Sequence, residues 1–480
     1  MPEIGLTPQF VERIESRLGV HAALTHSSLN DSERSQTWLD ANTGKARIIV
    51  GTRSAILLPC KNLGLIVVDE EHDASYKQQE GFLYHARDVA IYRSKSLNIP
   101  IVLGSATPSF ESLQNAKLGK FQKLNLKKRA KTSNLPHLKL IDLRSKPADA
   151  GLSNELIQAI NTEISKDNQV LLFLNRRGYA PTVLCHDCGK IEECSRCDAR
   201  MTFYKNKNIL KCHHCFKEQI APSVCTKCAS ENLLLLGEGT QRVENKLKEI
   251  FPSTAITRID RDSTRRKNSL HTKLNDIHSG KYKIILGTQM ISKGHDFPGV
   301  TLVGILNIDH GLFSTDFRAT EKLAQLIIQV SGRAGRSSLD GKVFLQTHQP
   351  EHPLLNLLLE KGYAAFSDEA LKIRKDCSLP PYSYMTMIRA RANQQIKTQH
   401  FLHDVKNSVL LNTSSKLSVI GPIPATLERK AGIYQSQLII TSPSRTAMQL
   451  HLNKWTTEIQ QLPLSKNVRW SIEVDPLDLE

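Results

Sequence analysis

Eight cysteines stand in four C-x2-C pairs: Cys185/Cys188, Cys194/Cys197, Cys212/Cys215 and Cys225/Cys228. A C-x2-C turn aims two sulfurs at one point, and zinc takes four soft thiolates in a tetrahedron, so four such turns can supply two four-cysteine zinc sites. The gap from Cys197 to Cys212 suits two turns on adjacent hairpins facing one ion; the gap from Cys188 to Cys194 is short for that. The spacing therefore predicts nesting. Outer Cys185, Cys188, Cys225 and Cys228 share one zinc, and inner Cys194, Cys197, Cys212 and Cys215 share the other. A disulfide cluster fits less well, because nothing else in the chain has a secreted character, and a redox dithiol would need one pair rather than four in series. With four protein ligands each, neither site has a position open for water, which disfavours a zinc-dependent nuclease. His213 and His214, beside Cys212, are read as exposed rather than as ligands. Cys60 and Cys377 are read as inert packing residues.

A second set of residues could do phosphoryl chemistry. The apolar run Leu65-Ile66-Val67-Val68 ends at once in Asp69-Glu70-Glu71-His72. Acids at the carboxyl end of a buried strand open into a ligand crevice. There Asp69 can hold the water shell of a magnesium ion, and Glu70 can orient and deprotonate an attacking water. His72 is placed to touch whatever lies across the cleft. Alone, this could be an acidic turn after a buried strand. It is followed by Ile101-Val102-Leu103-Gly104-Ser105-Ala106-Thr107-Pro108, by Gly287-Thr288-Gln289-Met290 with Ser292-Lys293-Gly294-His295-Asp296, and by Gln329-Val330-Ser331-Gly332-Arg333-Ala334-Gly335-Arg336. Between the first two, aromatic and basic residues interleave at Tyr76, Lys77, Phe82, Tyr84, His85 and Arg87. Rings offer nucleobases a stacking face and cations hold the backbone, although packed tyrosines would give the same pattern.

The order of these motifs resembles the motors of superfamily 2 helicases. The continuation through Tyr84-His85-Ala86-Arg87, then Leu172-Phe173-Leu174-Asn175-Arg176-Arg177-Gly178-Tyr179 running into the cysteines, resembles the primosomal protein N′ family of bacterial replication-restart DNA helicases, over essentially the whole chain. The resemblance implies an α/β fold: two RecA-like parallel-sheet lobes, the first incomplete, with ATP and Mg2+ in the cleft between them. It also implies a two-zinc insertion in the second lobe and a small α+β C-terminal domain. The expected boundaries are 1–125 for the rest of lobe one, 126–150 for a basic linker, 151–184 and 236–350 for lobe two, 185–235 for the insertion, and 351–480 for the last domain. Asp69, Glu70, His72, Gln329, Arg333 and Arg336 would be catalytic. Asp69, Glu70, Gly294, Asp296, Arg333 and Arg336 would face the nucleotide. Thr52, Arg53, Tyr76, Lys77, Phe82, Tyr84, Arg87, Arg176, Thr288 and Gln289 would face DNA. The function implied is ATP-dependent 3′-to-5′ unwinding at stalled forks and D-loops, starting primosome assembly. Implied partners are forks, D-loops, single strands, single-stranded DNA-binding protein and other primosome proteins.

The elements that must position these residues are legible in outline. Apolar runs alternate with helical patterns, which builds a parallel sheet with covered faces. The 480 residues suffice for several cores, and a net charge of +17 with pI near 9.4 points to a polyanion, nucleic acid first. No run of eighteen apolar residues and no signal-like start occur, so a cytoplasmic, nucleoid-associated protein with no membrane contact is expected. One element is absent from the sequence: no G-x-x-x-x-G-K-S/T occurs, so no glycine-rich loop and lysine cradle the β- and γ-phosphates. The family carries that loop ahead of Pro2-Glu3-Ile4-Gly5-Leu6-Thr7-Pro8. The expectation is therefore an N-terminally truncated form without ATPase of its own. The alternative is a non-catalytic zinc- and DNA-binding module.

Overall fold

The computed structural model describes residues 1–2, 7–126, 136–144, 148–174, 182–196, 200–204, 208–212, 217–235, 240–259, 269–288, 297–306, 308–312, 314, 316–335, 340–411 and 417–479. The chain forms two compact units, Met1–Lys123 and Leu124–Glu480.

In the first unit the helices Thr7–Leu18, Asp31–Thr43, Ala86–Leu97 and Phe110–Lys117 alternate with short strands. Local chemistry sets their ends. Asn30 and Glu33 form a reciprocal capping box, and Gly44, at φ 82°, closes the same helix in a left-handed turn. Ser109 caps Phe110–Lys117 by accepting from the Ser112 N–H. The strands pair in parallel, Ala22–Thr25 with Ile48–Gly51 and Ile66–Asp69 with Ile101–Gly104. The second register sets Asp69 opposite Gly104, so the acidic turn and the Ser105 turn leave the sheet side by side. Ile66, Val68, Tyr76, Ala86 and Ala90 form the core beneath them.

The second unit is built on six parallel strands in the order Ile256–Ile259, Ile284–Gly287, Gln169–Leu174, Val300–Leu306, Lys342–Thr347, His137–Asp142. Gln169–Leu174 and Val300–Leu306 are buried at every position, as strands covered on both faces must be. The edge strand is a correction. The segment 126–150, expected to be a basic linker, supplies His137–Asp142 to this sheet and the short strand Ala148–Asp149, which pairs with Leu152–Ser153 just beyond it. The basic residues just before it disguised a strand whose Ile141 is fully buried against the lobe core.

The cysteine-rich insertion leaves this sheet after Gln169–Leu174 and returns at helix Thr240–Ile250. It contains the antiparallel pair Val183–Cys185 with Leu233–Leu235, and a three-stranded meander of Met201–Tyr204, Ile209–Cys212 and Glu218–Ile220. The last domain is an antiparallel sheet in the order Ser418–Lys430, Ile433–Ser442, Tyr384–Ala392, Arg469–Val474. Helices Gln395–Leu411 and Arg445–Gln461 pack on it around Phe401 and Trp455. It is fastened to the lobe. Arg374 pairs with Glu321 at 2.7 Å, and the Arg374 and Arg318 guanidinium groups lie 5.0 and 4.9 Å from the Phe317 ring. Lys322 of the lobe donates to the Leu477 carbonyl (2.8 Å), while within the last domain Arg389 and Gln437 hold the same tail through the Asp478 (3.0 Å) and Leu479 (2.9 Å) carbonyls. Cys377, expected to pack, is exposed. Among the described residues no helix is long and apolar enough to cross a membrane.

Candidate functional site

The outer four cysteines converge. The sulfurs of Cys185, Cys188, Cys225 and Cys228 all lie within 4.8 Å of one another, with Cys185–Cys228 and Cys188–Cys225 at 3.6 Å. A tetrahedron with zinc–sulfur bonds of about 2.3 Å has edges of about 3.8 Å, whereas a disulfide bond is about 2.05 Å, so the donor set fits zinc. The two turns are built alike. The carbonyl of the first cysteine accepts from the fourth residue on, Gly189 or Ala229, both at positive φ (71° and 57°). Asp187 ties the turns together, accepting from Ser230 and from the Asn232 amide. Those hydrogen bonds hold its carboxyl below the usual range. Burial alone would raise the Cys225 thiol, but the Cys228 and Lys227 N–H groups and neighbouring sulfurs bring it down to about 7. The other three thiols, Cys185, Cys188 and Cys228, are pushed up instead, and holding zinc would require all four to lose their protons. Of the inner set, Cys194 and Cys212 are buried in the insertion's core; Cys197 and Cys215 lie outside the described residues.

At the acidic turn, the Asp69 carbonyl accepts from the Tyr76 hydroxyl at 2.6 Å, and Glu70 sits at φ 47°, a conformation that non-glycine residues hold only when their surroundings impose it. His72 Nδ1 is 2.7 Å from Ser105 Oγ and 3.7 Å from Glu70 Oε2, linking the acidic and serine motifs. The sequence reading missed Glu71. Its carboxylate is buried and accepts from Ser109 N (2.7 Å), Ser109 Oγ (3.0 Å), Ser112 Oγ (3.0 Å) and Arg87 Nη1 (3.0 Å). It is a structural joint rather than a reacting group.

That joint corrects part of the DNA reading. Arg87 is buried, held by Glu71, Asp88 and Ser109, and those carboxylates keep it charged against the cost of burial. Tyr76 is 4% exposed and Lys77 is buried with it, so neither offers a surface to a nucleic acid. Phe82 does: it is 79% exposed, and its ring stacks on half-buried Tyr84 at 5.9 Å. Arg53 donates to the Ser75 and Lys77 carbonyls, bracing the start of this segment, and the Thr52 N–H bonds the Thr25 carbonyl. Burial, then Arg87 and Lys77, lower His85 to about 3, so it is neutral near pH 7.

In the second unit, Gln329 lies in the last turns of helix Ala319–Ser331, and Arg333 is buried just beyond it. Thr288 follows strand Ile284–Gly287 and donates from its N–H to the Ile259 carbonyl. Arg176, Gln289, Gly294, Asp296 and Arg336 lie outside the described residues.

Comparison with known proteins matches four families along the chain. They are DEAD/DEAH box helicase at residues 1–116, the PriA DNA helicase Cys-rich region at 194–219, the helicase conserved C-terminal domain at 214–338, and the primosomal protein N C-terminal domain at 375–477. Replication restart protein PriA of Haemophilus influenzae is 47% identical over 100% of the chain and 65% of its own length; that of Bacillus subtilis is 39% identical over 99% and 60%. The chain thus spans under two thirds of those relatives. PriA of Rickettsia conorii is 35% identical over 99% of the chain and 73% of its own length. The chain belongs to the PriA family.

The PriA Cys-rich match contains all four inner cysteines, and the outer four flank it on both sides. The PriA C-terminal match begins at the end of helix Pro353–Asp376 and takes in all four strands of the antiparallel sheet.

Proposed function

We propose that the chain carries motor and zinc-binding parts of an ATP-dependent 3′-to-5′ DNA helicase. The whole protein would recognise stalled forks and D-loops and start primosome assembly in replication restart, in the bacterial cytoplasm at the nucleoid. The observation that carries this reading is the Asp69–His72 turn, at the carboxyl end of a parallel strand and hydrogen-bonded through His72 to Ser105, in a member of the PriA family. In this reading Asp69 holds the water shell of Mg2+, Glu70 orients and deprotonates the attacking water, and His72 passes the state of that site to Ser105. Gln329, Arg333, Arg336, Gly294 and Asp296 are the second lobe's nucleotide-facing residues by motif. Phe82 and Tyr84 supply the stacking face, with Thr52, Arg53, Arg176, Thr288 and Gln289 as further DNA contacts. Two zinc ions, on the outer and inner cysteine sets, hold the insertion rigid. Single-stranded DNA-binding protein and primosome proteins are the assigned partners.

A second reading is favoured by one observation, the absence of G-x-x-x-x-G-K-S/T from the sequence. Without backbone donors and a lysine to cradle phosphates, these 480 residues act by themselves as a zinc- and DNA-binding module. Fork-DNA binding by fluorescence anisotropy, alongside DNA-stimulated ATP hydrolysis, tests both. The expected result is salt-sensitive fork binding with no turnover. Turnover would refute the module reading, and failure to bind forks at low salt would refute both.

A further inference from the structure

The first outer turn does not stand free on the insertion; it sits on the carboxyl ends of two adjacent sheet strands. Asp309 opens a short helix just after strand Val300–Leu306, and His348 follows strand Lys342–Thr347, its neighbour in the sheet. Both side chains are buried. Asp309 Oδ2 is 2.8 Å from His348 Nδ1 and accepts from the His348 N–H at 3.0 Å, while Oδ1 accepts from the Thr347 hydroxyl. A carboxylate so placed fixes the His348 tautomer with hydrogen on Nδ1. Its Nε2 is then an acceptor, and it lies 3.1 Å from Nδ1 of His186, between Cys185 and Cys188. The same turn is pinned a second time. The Gln349 amide donates to the Gly189 carbonyl, and a Cβ at Gly189 would come within 2.5 Å of the His348 carbonyl.

We propose that Asp309 and His348 are positioning residues for the outer metal site. Together they form a seat that holds the Cys185–Cys188 turn in metal-ready geometry and couples metal retention to the carboxyl edge of the lobe's sheet. Neither residue is among the sulfur ligands. Their effect passes through His186 and the Gly189 backbone, in the way that partners behind metal ligands fix ligand orientation. The coupling is reciprocal: a filled outer site fixes the turn, and the turn then fixes Thr347–Gln349.

The proposal rests on zinc at the outer cysteines, so the full chain is first assayed for zinc content, with Cys228→Ser identifying the outer ion's share. Zinc release to excess chelator near neutral pH is then followed for the unsubstituted chain, His348→Ala, Asp309→Asn, His186→Ala and the His186→Ala/His348→Ala double variant. The outer ion should leave about 10- to 100-fold faster from each single variant, the range seen when partners behind metal ligands are lost. The double variant should be no faster than the faster single, because the residues act in series. Hydrogen exchange at Tyr384–Ala392, matching that of the unsubstituted chain, confirms an intact fold. A zinc-loaded chain whose variants release metal at the original rate, or whose single effects add, overturns the seat alone. A chain holding no outer zinc overturns the metal reading and the seat with it.

Discussion

Phe82 and Tyr76 belong to one short segment, yet one ring faces water and the other is sealed beneath the acidic turn with its hydroxyl on the Asp69 carbonyl. Only the first can stack on a base. A single stacked base contributes about 1–3 kcal/mol, so Phe82→Ala should weaken single-strand binding by roughly 5- to 150-fold. With so little of the ring buried, it should leave the unfolding midpoint where it was. Anisotropy titrations with a pyrimidine oligonucleotide, beside a denaturant melt, separate the two effects. Unchanged affinity would remove Phe82 from the DNA surface.

The same segment acts as an element because it is clamped at both ends: Arg53 holds its start by two carbonyls, and Arg87 anchors the helix that follows it to Glu71 and Ser109. Removing one member of a buried ion pair costs about 3–5 kcal/mol, since the other charge stays behind without its partner. Arg87→Ala should therefore destabilise the first unit by that amount in urea unfolding, and a shift under about 1 kcal/mol would show the pair to be dispensable. This clamp also marks what the sequence could not convey. The strand ending in Asp69, its partner strand ending before Ser105, and the outer cysteine set were legible, because each is a local pattern of apolar run, turn residue or fixed spacing. Tyr76, Lys77 and Arg87 were misread as DNA contacts because burial depends on partners far along the chain. Arg87 meets Ser109, and Glu71 meets both. Strand His137–Asp142 was missed for the same reason, its partner Lys342–Thr347 being remote in sequence. The seat of Asp309, His348 and His186 carries no motif at all; three unremarkable residues meet only through the sheet.

Across the second unit, the joint between lobe and last domain concentrates on Arg374, which pairs with Glu321, lies over Phe317 and donates to the Pro380 carbonyl. Loss of the guanidinium strands Glu321 in the interior. Arg374→Ala should cost about 3–5 kcal/mol and let the antiparallel domain melt apart from the lobe, seen as two transitions in calorimetry. A single transition at the original temperature would show that the Lys322 contact to the Leu477 carbonyl and the packing at Phe317 suffice to hold it.

The edge strand His137–Asp142 has a consequence for how the chain is made. Its sheet neighbour among the described residues, Lys342–Thr347, is about 200 residues further on, so at roughly 5–20 residues per second the strand leaves the ribosome some 10–40 s before its partner exists. During that interval its row of backbone donors and acceptors, with Leu138, Leu140 and Ile141 among them, has no sheet to join, and such an edge invites strangers. The run of Lys127, Lys128, Arg129 and Lys131 just ahead of it then takes on a meaning apart from DNA: like charges beside a bare strand keep nascent copies from pairing with one another until the lobe closes.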